Sequence, residues 1–394
     1  MSRPLKLMVV SNDMLIGGVQ RNILGYFRGL DFERFEPHLA LVCAGGPLVE
    51  PLRELGVDVH VVRSISKAGP LKWIRPGRVI ELARLIERLE IDVVQTRLFL
   101  GNTIGRLAAA RAGVPVVVAA EHSTYYDKTV VHKAIDRRLA EHCQRIVAVS
   151  QTVKDFTINQ ESLPPELLTV IYNGLEIELY RNTRPREQVR AELGIDQQRP
   201  VLFSAARLIP EKGYAGFIHA LALLGMRVPD VLFVLAGEGP EREHIERQAL
   251  RKGVSDQLMM LGERNDVHDL LAASDLFVLP SRREGLPTAV IEALAAGCPA
   301  VCHYLPQSAE VVDQDVDGLL LDFDDHRTVA ETIAALLADP DRRHAMSKRG
   351  RAKVGESFTL QRMVGGYMDL YEELWKKANK SAEPLRGQPP QPPL

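Results

Sequence analysis

The sequence predicts an α/β protein with two doubly wound parallel sheets, and three observations lead to this fold class. Short apolar runs alternate with longer amphipathic stretches along the chain, which is typical of strands connected by helices in a parallel sheet. The apolar runs are continuous, as expected for strands covered on both faces. At 394 residues the chain exceeds one ordinary core, which stops growing at roughly 250 to 300 residues, so we expect two domains.

The first domain is predicted to contain seven strands. In chain order their sequences are LKLMVVS, HLALVCA, VDVHVV, IDVVQT, VPVVVAAE, RIVAVS and LLTVIYN. The stretch that follows, residues 173–200, is polar, contains two prolines and lacks a strong strand pattern. We interpret it as a linker between the domains.

The strand pattern then starts again. Six further runs follow: PVLFSAA, VLFVLAG, QLMMLGE, DLFVLP, PAVCHY and GLLLDF. Helical stretches such as TVAETIAALLAD separate them, so a second doubly wound domain is predicted. We place the first domain at residues 1–178 and the second at 179–358.

The C-terminal region is predicted to contain one helix and a tail. An amphipathic pattern covers residues 359–379, and we expect this helix to pack back on the first domain. Residues 380–394 are rich in proline and have few apolar side chains to bury, so they are expected to form a disordered tail.

Composition excludes several classes of protein. The net charge of −2 gives no global field that would favour nucleic acid. The four cysteines show no CxxC spacing, which favours free structural thiols over disulfides or a zinc site. No run of about 18 apolar residues is present, and the first apolar run is too short for a signal peptide. We therefore expect a cytoplasmic protein.

Candidate functional residues follow the predicted strands, because open parallel sheets bind ligands at the carboxyl ends of their strands. After the first strand, Gly17 and Gly18 would let a ligand approach the backbone at the start of a helix. The same two glycines also fit an ordinary turn, and they do not form a GxGxxG fingerprint. His122 follows another strand, where the alternatives are a structural histidine and one that contacts a ligand.

Two cations and several glycines follow strands of the second domain. The segment SAARLIPEKGY places Arg207 and Lys212 five positions apart. A guanidinium and an ammonium at this edge could hold a diphosphate, whereas a solvated pair of charges is the alternative. The next strand ends in LAGEGPER, which brings Gly237 to the same edge.

The segment SRREGLPTAVIEAL contains two glutamates, Glu284 and Glu292, eight positions apart. The turn between them is predicted to start a helix, with Pro287 at the first helical position and the amides of Leu286 and Thr288 directed at an anion. Glu292 could accept two hydrogen bonds from a vicinal diol such as ribose. Glu284 would lie above the diphosphate, where a sugar projects.

Two cations, a helix amino terminus, a diol acceptor and a further carboxylate describe a site for a nucleotide-diphosphate sugar. With these residues the chain resembles the retaining glycosyltransferases of family 4, whose E-x7-E signature matches Glu284 to Glu292. The resemblance extends from the Gly17 loop to the YEEL helix. It implies the GT-B architecture, in which two Rossmann-like domains face a central cleft, the first binding the acceptor and the second the donor.

The resemblance also implies roles for individual residues. Arg207 and Lys212 would clamp the diphosphate, Glu292 would bind ribose and Glu284 would contact the donor sugar. Arg264 matches the segment beside the base, and His122 matches a histidine near the donor sugar and the acceptor. The expected catalytic residues are Glu284, His122, Arg207 and Lys212. The expected donor-binding residues are Gly17, Gly18, Arg207, Lys212, Gly237, Arg264, Glu284, Gly285, Leu286, Pro287, Thr288 and Glu292.

The expected activity is that of a retaining hexosyltransferase. It would move a hexose or N-acetylhexosamine from a nucleotide-diphosphate sugar, with UDP favoured over GDP on family frequency, to a hydroxyl of a glycan or lipid-linked acceptor. Cell-surface polysaccharide or glycolipid biosynthesis is the implied process. No cofactor and no metal ion are expected, because the nucleotide sugar is a co-substrate and fixed cations carry the charge of the leaving group. The DxD pairs that begin at Asp315 and Asp322 lie around a short strand and are discounted.

Other functions remain open from the sequence. A nucleotide-sugar epimerase of the same fold shares the diphosphate clamp, and a catalytically silent subunit that binds nucleotide sugar is a further alternative. A glycoside hydrolase would not need the two cations. The chain departs from the family pattern at Pro306-Gln307 and at Arg97, which puts the sugar and the acceptor in doubt.

A basic segment, residues 63–78, contains five cations, no acid and Trp73. A solvated loop and a peripheral contact with the anionic cytoplasmic membrane face are the two interpretations. The second would suit a lipid-linked acceptor.

Overall fold

The computed structural model describes residues 3–62, 76–124 and 129–382, which form two compact units. The first unit contains Met1–Val149, Val153–Ile171 and Gln361–Leu394, and the second contains Ser150–Thr152 and Tyr172–Leu360. Within these described ranges, no helix has both the length and the apolar character needed to cross a membrane. Most of the basic segment, residues 63–75, and most of the predicted tail, residues 383–394, lie outside the described residues.

The first unit is built on a seven-stranded sheet. Its strands are β1 (Leu5–Ser11), β2 (Phe35–Leu41), β3 (Asp58–Val61), β4 (Val93–Arg97), β5 (Val116–Glu121), β6 (Arg145–Ala148) and β7 (Leu168–Val170). They are ordered β3-β2-β1-β4-β5-β6-β7, and every pair is parallel. The helices of this part of the chain are α1 (Gly18–Gly29), α2 (Val49–Glu54), α3 (Pro76–Leu89), α4 (Phe99–Ala112), α5 (Val130–Ala140) and α6 (Gln151–Glu161).

The second unit is built on a six-stranded parallel sheet. Its strands are β8 (Val201–Ala205), β9 (Leu232–Ala236), β10 (Leu258–Gly262), β11 (Leu276–Leu279), β12 (Ala300–His303) and β13 (Gly318–Leu321), in the order β10-β9-β8-β11-β12-β13. Its helices are α7 (Ile177–Arg181), α8 (Arg186–Glu192), α9 (Tyr214–Gly225), α10 (Arg242–Lys252), α11 (Val267–Ala272), α12 (Thr288–Ala296), α13 (Pro306–Ala309), α14 (His326–Leu337) and α15 (Pro340–Ser357). The predicted fold class of two doubly wound parallel sheets is confirmed.

The continuous apolar strands are central in both sheets. In the first unit every residue of β4 and β5 is buried. In the second unit every residue of β9 and β11 is buried, and Phe217 of α9 packs edge-on against Phe233 of β9 with 5.0 Å between ring centroids. Helices cover both faces of strands like these, which explains why their sequences do not alternate.

The interpretation of residues 173–200 as a linker is wrong. This stretch folds into α7 and α8, which belong to the second unit. Arg190 of α8 is 1% exposed, and it donates to the carbonyls of Ala273 and Arg199 at 2.9 and 2.8 Å and to the Asp275 carboxylate at 3.0 Å. The hydrogen bonds of this buried arginine are therefore supplied by the domain and not by water.

The last helix, α16 (Leu360–Ala382), lies mainly in the first unit and runs three residues beyond the predicted end at 379. Its buried Tyr371 hydroxyl lies 3.3 Å from that of Tyr26 in α1, and Glu372 accepts from Arg34 at 2.7 Å. Tyr367 packs edge-on against the Tyr26 ring with 5.6 Å between centroids. An aromatic face thus packs α16 against α1, and the ion pair ties α16 to the segment before β2.

All four cysteines are free, in agreement with the sequence prediction. Cys143, Cys298 and Cys302 are buried, and burial raises the pKa of each of these thiols. They are structural apolar residues.

Candidate functional site

The topology of the second unit collects the predicted donor residues at one edge of its sheet. β8 lies between β9 and β11, so the strand order changes direction there, and open α/β sheets bind ligands at such a switch point. Arg207 follows β8, Gly237 follows β9, Arg264 follows β10 and Glu284 follows β11. The predicted residues therefore lie at the carboxyl ends of four neighbouring strands.

Lys212 and Glu284 form an ion pair within this edge. The Lys212 Nζ lies 2.6 Å from the Glu284 Oε1, and the two side chains are 18% and 12% exposed. The two residues are 72 positions apart in the chain, and no local pattern predicts that they pair. Because both groups are partly shielded from water, their attraction is stronger than that of a surface pair.

The loops after β8 and β11 are joined in a way that explains this pairing. Residues Pro210–Lys212 form a 3-10 turn that ends at Gly213, whose φ is 72°. A Cβ at Gly213 would lie 2.3 Å from the Pro280 carbonyl oxygen, so glycine is required. The Arg282 N–H donates to the Glu211 carbonyl at 2.8 Å and fixes the second loop on the first.

Arg207 is exposed and has no hydrogen bond or ion pair from its side chain among the residues that the structure describes. Its backbone is held, because the neighbouring Leu208 N–H donates to the Glu238 carbonyl at 2.9 Å. The guanidinium therefore keeps its donors available for an anion.

Gly237 has a structural reason to be glycine. Its φ is 134°, and a Cβ there would lie 1.9 Å from the Ala206 carbonyl oxygen. The close approach of the loops after β8 and β9 depends on this residue, independently of any ligand.

The turn between the two glutamates leads into α12, although not as predicted. Pro287 is the N-cap residue rather than the first helical residue, and the Thr288 N–H donates to the Leu286 carbonyl at 2.8 Å. The Thr288 amide is therefore used within the turn and does not point at an anion. The Gly285 carbonyl accepts from the Ser150 hydroxyl at 2.8 Å, which holds the turn in place.

The amino end of α12 still offers a favourable field for an anion. The first turn contains no acidic residue, and its N-cap residue, Pro287, makes no side-chain hydrogen bond to it. Glu292 lies in the second turn and is partly buried between the fully buried Ile291 and Ala293. Glu284 and Glu292 thus flank the helix start on the chain, as the sequence predicted.

Arg264 has a structural role in the second unit. Its guanidinium donates to the Asp266 carboxylate at 2.6 and 2.8 Å, and Asp266 also accepts from Arg184 at 2.9 Å. The hydrogen bonds from Arg264 hold the pKa of Asp266 below its usual value. This network ties the end of β10 to the segment before α8. The guanidinium of Arg264 is bound to Asp266 and takes no part in the Lys212–Glu284 pair.

The discounted DxD pairs have local cationic partners. Asp317 is 1% exposed, accepts from the Asp313 N–H at 2.8 Å and lies 3.5 Å from the Lys353 Nζ. Asp315 forms an ion pair with Arg342. These contacts give the carboxylates a structural role around β13.

The first unit has a switch point of its own at β1, which lies between β2 and β4. Gly17 is the N-cap of α1 in extended backbone, and a Cβ at Gly18 would meet nothing within 4 Å. Neither residue is in a conformation that needs glycine. A Cβ at Gly17 would meet the flexible Gln20 side chain, 2.6 Å from its Oε1, so packing against the backbone requires glycine at neither position.

His122 directly follows β5 and is partly buried. Its Nε2 is shielded from solvent and lacks a hydrogen-bond partner within the described part of the chain. Burial, with a smaller effect from Arg97, lowers the pKa of His122 to about 3. The imidazole is neutral at neutral pH.

Arg97, which the sequence analysis noted only as a departure from the family pattern, ends β4 and is fully buried. Its guanidinium lies over the rings of Tyr26 and Tyr367, 5.1 and 5.4 Å from their centroids, and donates to the Asn22 side chain at 2.6 Å. Aromatic faces offset part of the cost of burying a cation. The sequence signal for this residue is a charged side chain at the end of a strand that begins with two valines.

Comparison with protein families supports the same two-part organisation. The family model described as Glycosyltransferase Family 4 matches residues 16–179, and the one described as Glycosyl transferases group 1 matches residues 185–353. Together these ranges cover most of the chain.

Two curated relatives are similar over most of their length. The UDP-Gal:alpha-D-GlcNAc-diphosphoundecaprenol alpha-1,3-galactosyltransferase of Escherichia coli is 29% identical over 91% of this chain and 95% of its own. The N,N'-diacetylbacillosaminyl-diphospho-undecaprenol alpha-1,3-N-acetylgalactosaminyltransferase of Campylobacter jejuni is 26% identical over 83% of this chain and 89% of its own.

Among solved structures, Anabaena HepE in complex with UDP superposes with a TM-score of 0.82. The alignment covers 94% of this chain and all of that one at 22% identity. At this identity the match establishes the fold.

Proposed function

The chain belongs to the family 4 glycosyltransferases, and from this premise we propose that it transfers a hexose or N-acetylhexosamine from a UDP-sugar to a hydroxyl of a lipid-linked glycan. The observation that carries the proposal is the shielded Lys212–Glu284 pair at the carboxyl ends of β8 and β11, together with the exposed guanidinium of Arg207 that follows β8. Two related enzymes are named for substrates linked to diphosphoundecaprenol, which supports the choice of acceptor class.

Arg207 and Lys212 would hold the diphosphate of the donor. Arg207 has donors that no described residue uses, and Lys212 would exchange the Glu284 carboxylate for a phosphate oxygen. The N-terminus of α12 adds attraction for the same anion. The exchange releases Glu284 to accept hydrogen bonds from the hydroxyls of the donor sugar.

The same groups would stabilise the transition state. As the anomeric C–O bond breaks, its electron pair passes to the phosphate oxygen of the leaving nucleotide diphosphate, so negative charge grows beside the two cations. The acceptor hydroxyl attacks from the face that the leaving group occupies and gives its proton to that phosphate oxygen. The anomeric configuration is then retained, and no metal ion is required to carry the charge.

His122 would contact the donor sugar or the acceptor, as its motif position implies. Its depressed pKa makes the neutral imidazole the form present at pH 7. A neutral imidazole is suited to a hydrogen bond with a sugar hydroxyl. We therefore assign it to substrate positioning rather than to proton removal.

With a lipid-linked acceptor, the enzyme would act at a membrane surface. The basic segment 63–78 would supply this peripheral contact at the cytoplasmic face, with five cations for anionic lipid and Trp73 for the interface.

The direct test is transfer by the purified full chain with UDP-sugars, GDP-sugars and a polyprenyl-diphosphate-linked N-acetylhexosamine. Mass spectrometry should find one added sugar from a UDP donor, with EDTA present, and NMR should find the donor's anomeric configuration in the product. An altered nucleotide sugar formed without acceptor would identify an epimerase instead. Binding of donor with no product in any combination would favour the silent subunit.

A further inference from the structure

Strands β2 and β3, at the edge of the first unit's sheet, bring four titratable side chains onto one face. The parallel register pairs His38 with Asp58, and His60 lies two residues further along β3. Alternate residues of a strand share a face, so Glu36, His38, Asp58 and His60 project to the same side. None of them belongs to the residues assigned to the donor.

Three of these side chains place their ligand atoms close together. The Asp58 Oδ2 lies 3.0 Å from the His60 Nε2 and 3.5 Å from the His38 Nδ1, and all three atoms are within 4.8 Å of one another. A tetrahedral zinc ion with bonds of about 2.0 to 2.1 Å separates its ligands by roughly 3.3 to 3.4 Å. The two distances from Asp58, 3.0 and 3.5 Å, lie on either side of this spacing.

The imidazole nitrogens that face Asp58 are not satisfied by hydrogen bonds. Both the His38 Nδ1 and the His60 Nε2 are shielded from solvent, and neither has a hydrogen-bond partner of acceptable geometry among the described residues. They approach the carboxylate closely but are not aligned with it as donors. Buried polar atoms in this state are unusual in native proteins and indicate a missing partner.

His38 also has the second contact that metal-binding histidines typically make. Its Nε2 lies 3.2 Å from the Glu36 Oε1, so the Nε2–H can donate to this carboxylate. The proton is then fixed on Nε2, and the Nδ1 lone pair faces Asp58 and His60. Carboxylate–histidine–metal arrangements use this geometry to orient the ring.

The local charges favour a cation at this position. Asp58 lies 3.0 Å from a ring nitrogen of His60 and Glu36 lies 3.2 Å from one of His38, so two carboxylates stand beside the imidazoles.

We propose that His38, Asp58 and His60 bind a divalent transition-metal ion of the zinc type. Two imidazoles select against hard cations such as Mg²⁺ and Ca²⁺, which prefer oxygen ligands. The Asp58 side chain is 57% exposed, which leaves a fourth position open to water. With one ligand on β2 and two on β3, the ion would fasten the short edge strand to the sheet, a structural role separate from sugar transfer.

Zinc titration of the untagged full chain, stripped with EDTA and dialysed, tests the proposal. Calorimetry should find one equivalent of Zn²⁺, and Co²⁺ should give the intense visible absorption of a tetrahedral site. Asp58→Asn and His60→Gln should each weaken zinc binding at least tenfold, and Glu36→Gln should weaken it about 10-fold or more. Saturating zinc should raise the unfolding midpoint of the wild type and not of Asp58→Asn.

The controls separate this site from other histidines and from misfolding. His219 of the second unit lies near His326, with 5.2 Å between ring centroids, so His219→Gln is the matched substitution and should leave the stoichiometry and affinity unchanged. Asp58→Asn alters an exposed carboxylate, and its unfolding midpoint in EDTA should equal that of the wild type. Unaltered zinc binding in both Asp58→Asn and His60→Gln, or no binding by the wild type, would overturn the proposal.

Discussion

At the scale of single residues, the Lys212–Glu284 pair determines what a diphosphate has to displace. The Glu284 carboxylate lies 2.6 Å from the Lys212 ammonium. In the proposed donor site a diphosphate would compete for Lys212, because it carries more charge and several acceptor oxygens. Glu284 would then be released to accept a hydrogen bond from a hydroxyl of the donor sugar.

Substitution of either partner should therefore separate binding from transfer. Lys212→Met removes a charge-assisted contact worth about 1.5 to 3 kcal/mol, so calorimetry should show UDP binding weakened roughly 10- to 100-fold. Glu284→Gln removes the competing carboxylate, so UDP should bind as well as or better than to the wild type, while transfer at saturating donor falls. Equal loss of UDP affinity in both variants, or unchanged transfer by Glu284→Gln, would contradict these roles.

The positive charge of Arg97 should contribute measurably to the low pKa of His122. Arg97→Met keeps an apolar side chain between the Tyr26 and Tyr367 rings and removes the charge. The pKa of His122 should rise from about 3 and stay below 6.5, because burial is the larger cause. NMR titration of the imidazole resonances measures this, with Arg111→Met, which alters an exposed arginine at the end of α4, as control.

The positions of Arg207, Lys212 and Glu284 after strands could be predicted from the sequence, and the structure places them there. Their roles toward a donor stay predictions. The ion pair could not be predicted, because it depends on the approach of two loops that are far apart in the chain. Arg97 was noted as unusual, but its aromatic surroundings come from α1 and α16, which no local pattern connects to β4.

At the scale of elements, Gly213 controls how the turn after β8 meets the loop after β11. Gly213 and Gly253 have nearly the same positive φ, 72° and 69°. A Cβ at Gly213 would lie 2.3 Å from the Pro280 carbonyl oxygen, whereas at Gly253 it would meet nothing within 4 Å. Substitutions at these two glycines thus separate the free-energy cost of the backbone conformation from the cost of the close approach.

Alanine at these two positions should give different results. Gly253→Ala should lower the free energy of unfolding by about 1 to 2 kcal/mol, the cost of a left-handed residue. Gly213→Ala should cost more and should also weaken UDP binding, since it moves Lys212. Thermal denaturation and calorimetry measure the two effects, and equal results for both variants would show that the loop contact is unimportant.

Helices α7 and α8 show where composition misleads. A polar stretch with two prolines is typical of a linker, yet Arg190 is buried and bonded to carbonyls of residues distant in the sequence. The local sequence does not predict such contacts, because they form only when the fold brings β11 and α8 together. The strands were easier to predict, because continuous apolar runs bounded by turns are typical of buried strands in a parallel sheet.

At the scale of the whole molecule, stability should fall with acid in the first unit. Unfolded histidine has a pKa near 6.5, whereas folded His122 has one of about 3. Below pH 6.5 the unfolded chain therefore binds a proton that the folded chain does not, so the free energy of unfolding decreases as the pH falls toward 3.

Urea unfolding at pH 7 and pH 5 measures this effect. Trp375 in α16 belongs to the first unit, so its fluorescence reports on the unfolding of that unit. His122→Gln should lose less stability than the wild type between the two pH values. An identical loss in both proteins would show that His122 is protonated normally in the folded state.

The central claim is that the second unit binds the nucleotide diphosphate of a sugar donor, with Glu292 on the ribose. The most direct measurement is calorimetric titration of UDP and GDP into the wild type and Glu292→Ala, with EDTA present. We predict that UDP binds the wild type in preference to GDP and that the affinity falls sharply in Glu292→Ala. Failure of both nucleotides to bind the folded wild type would contradict the account.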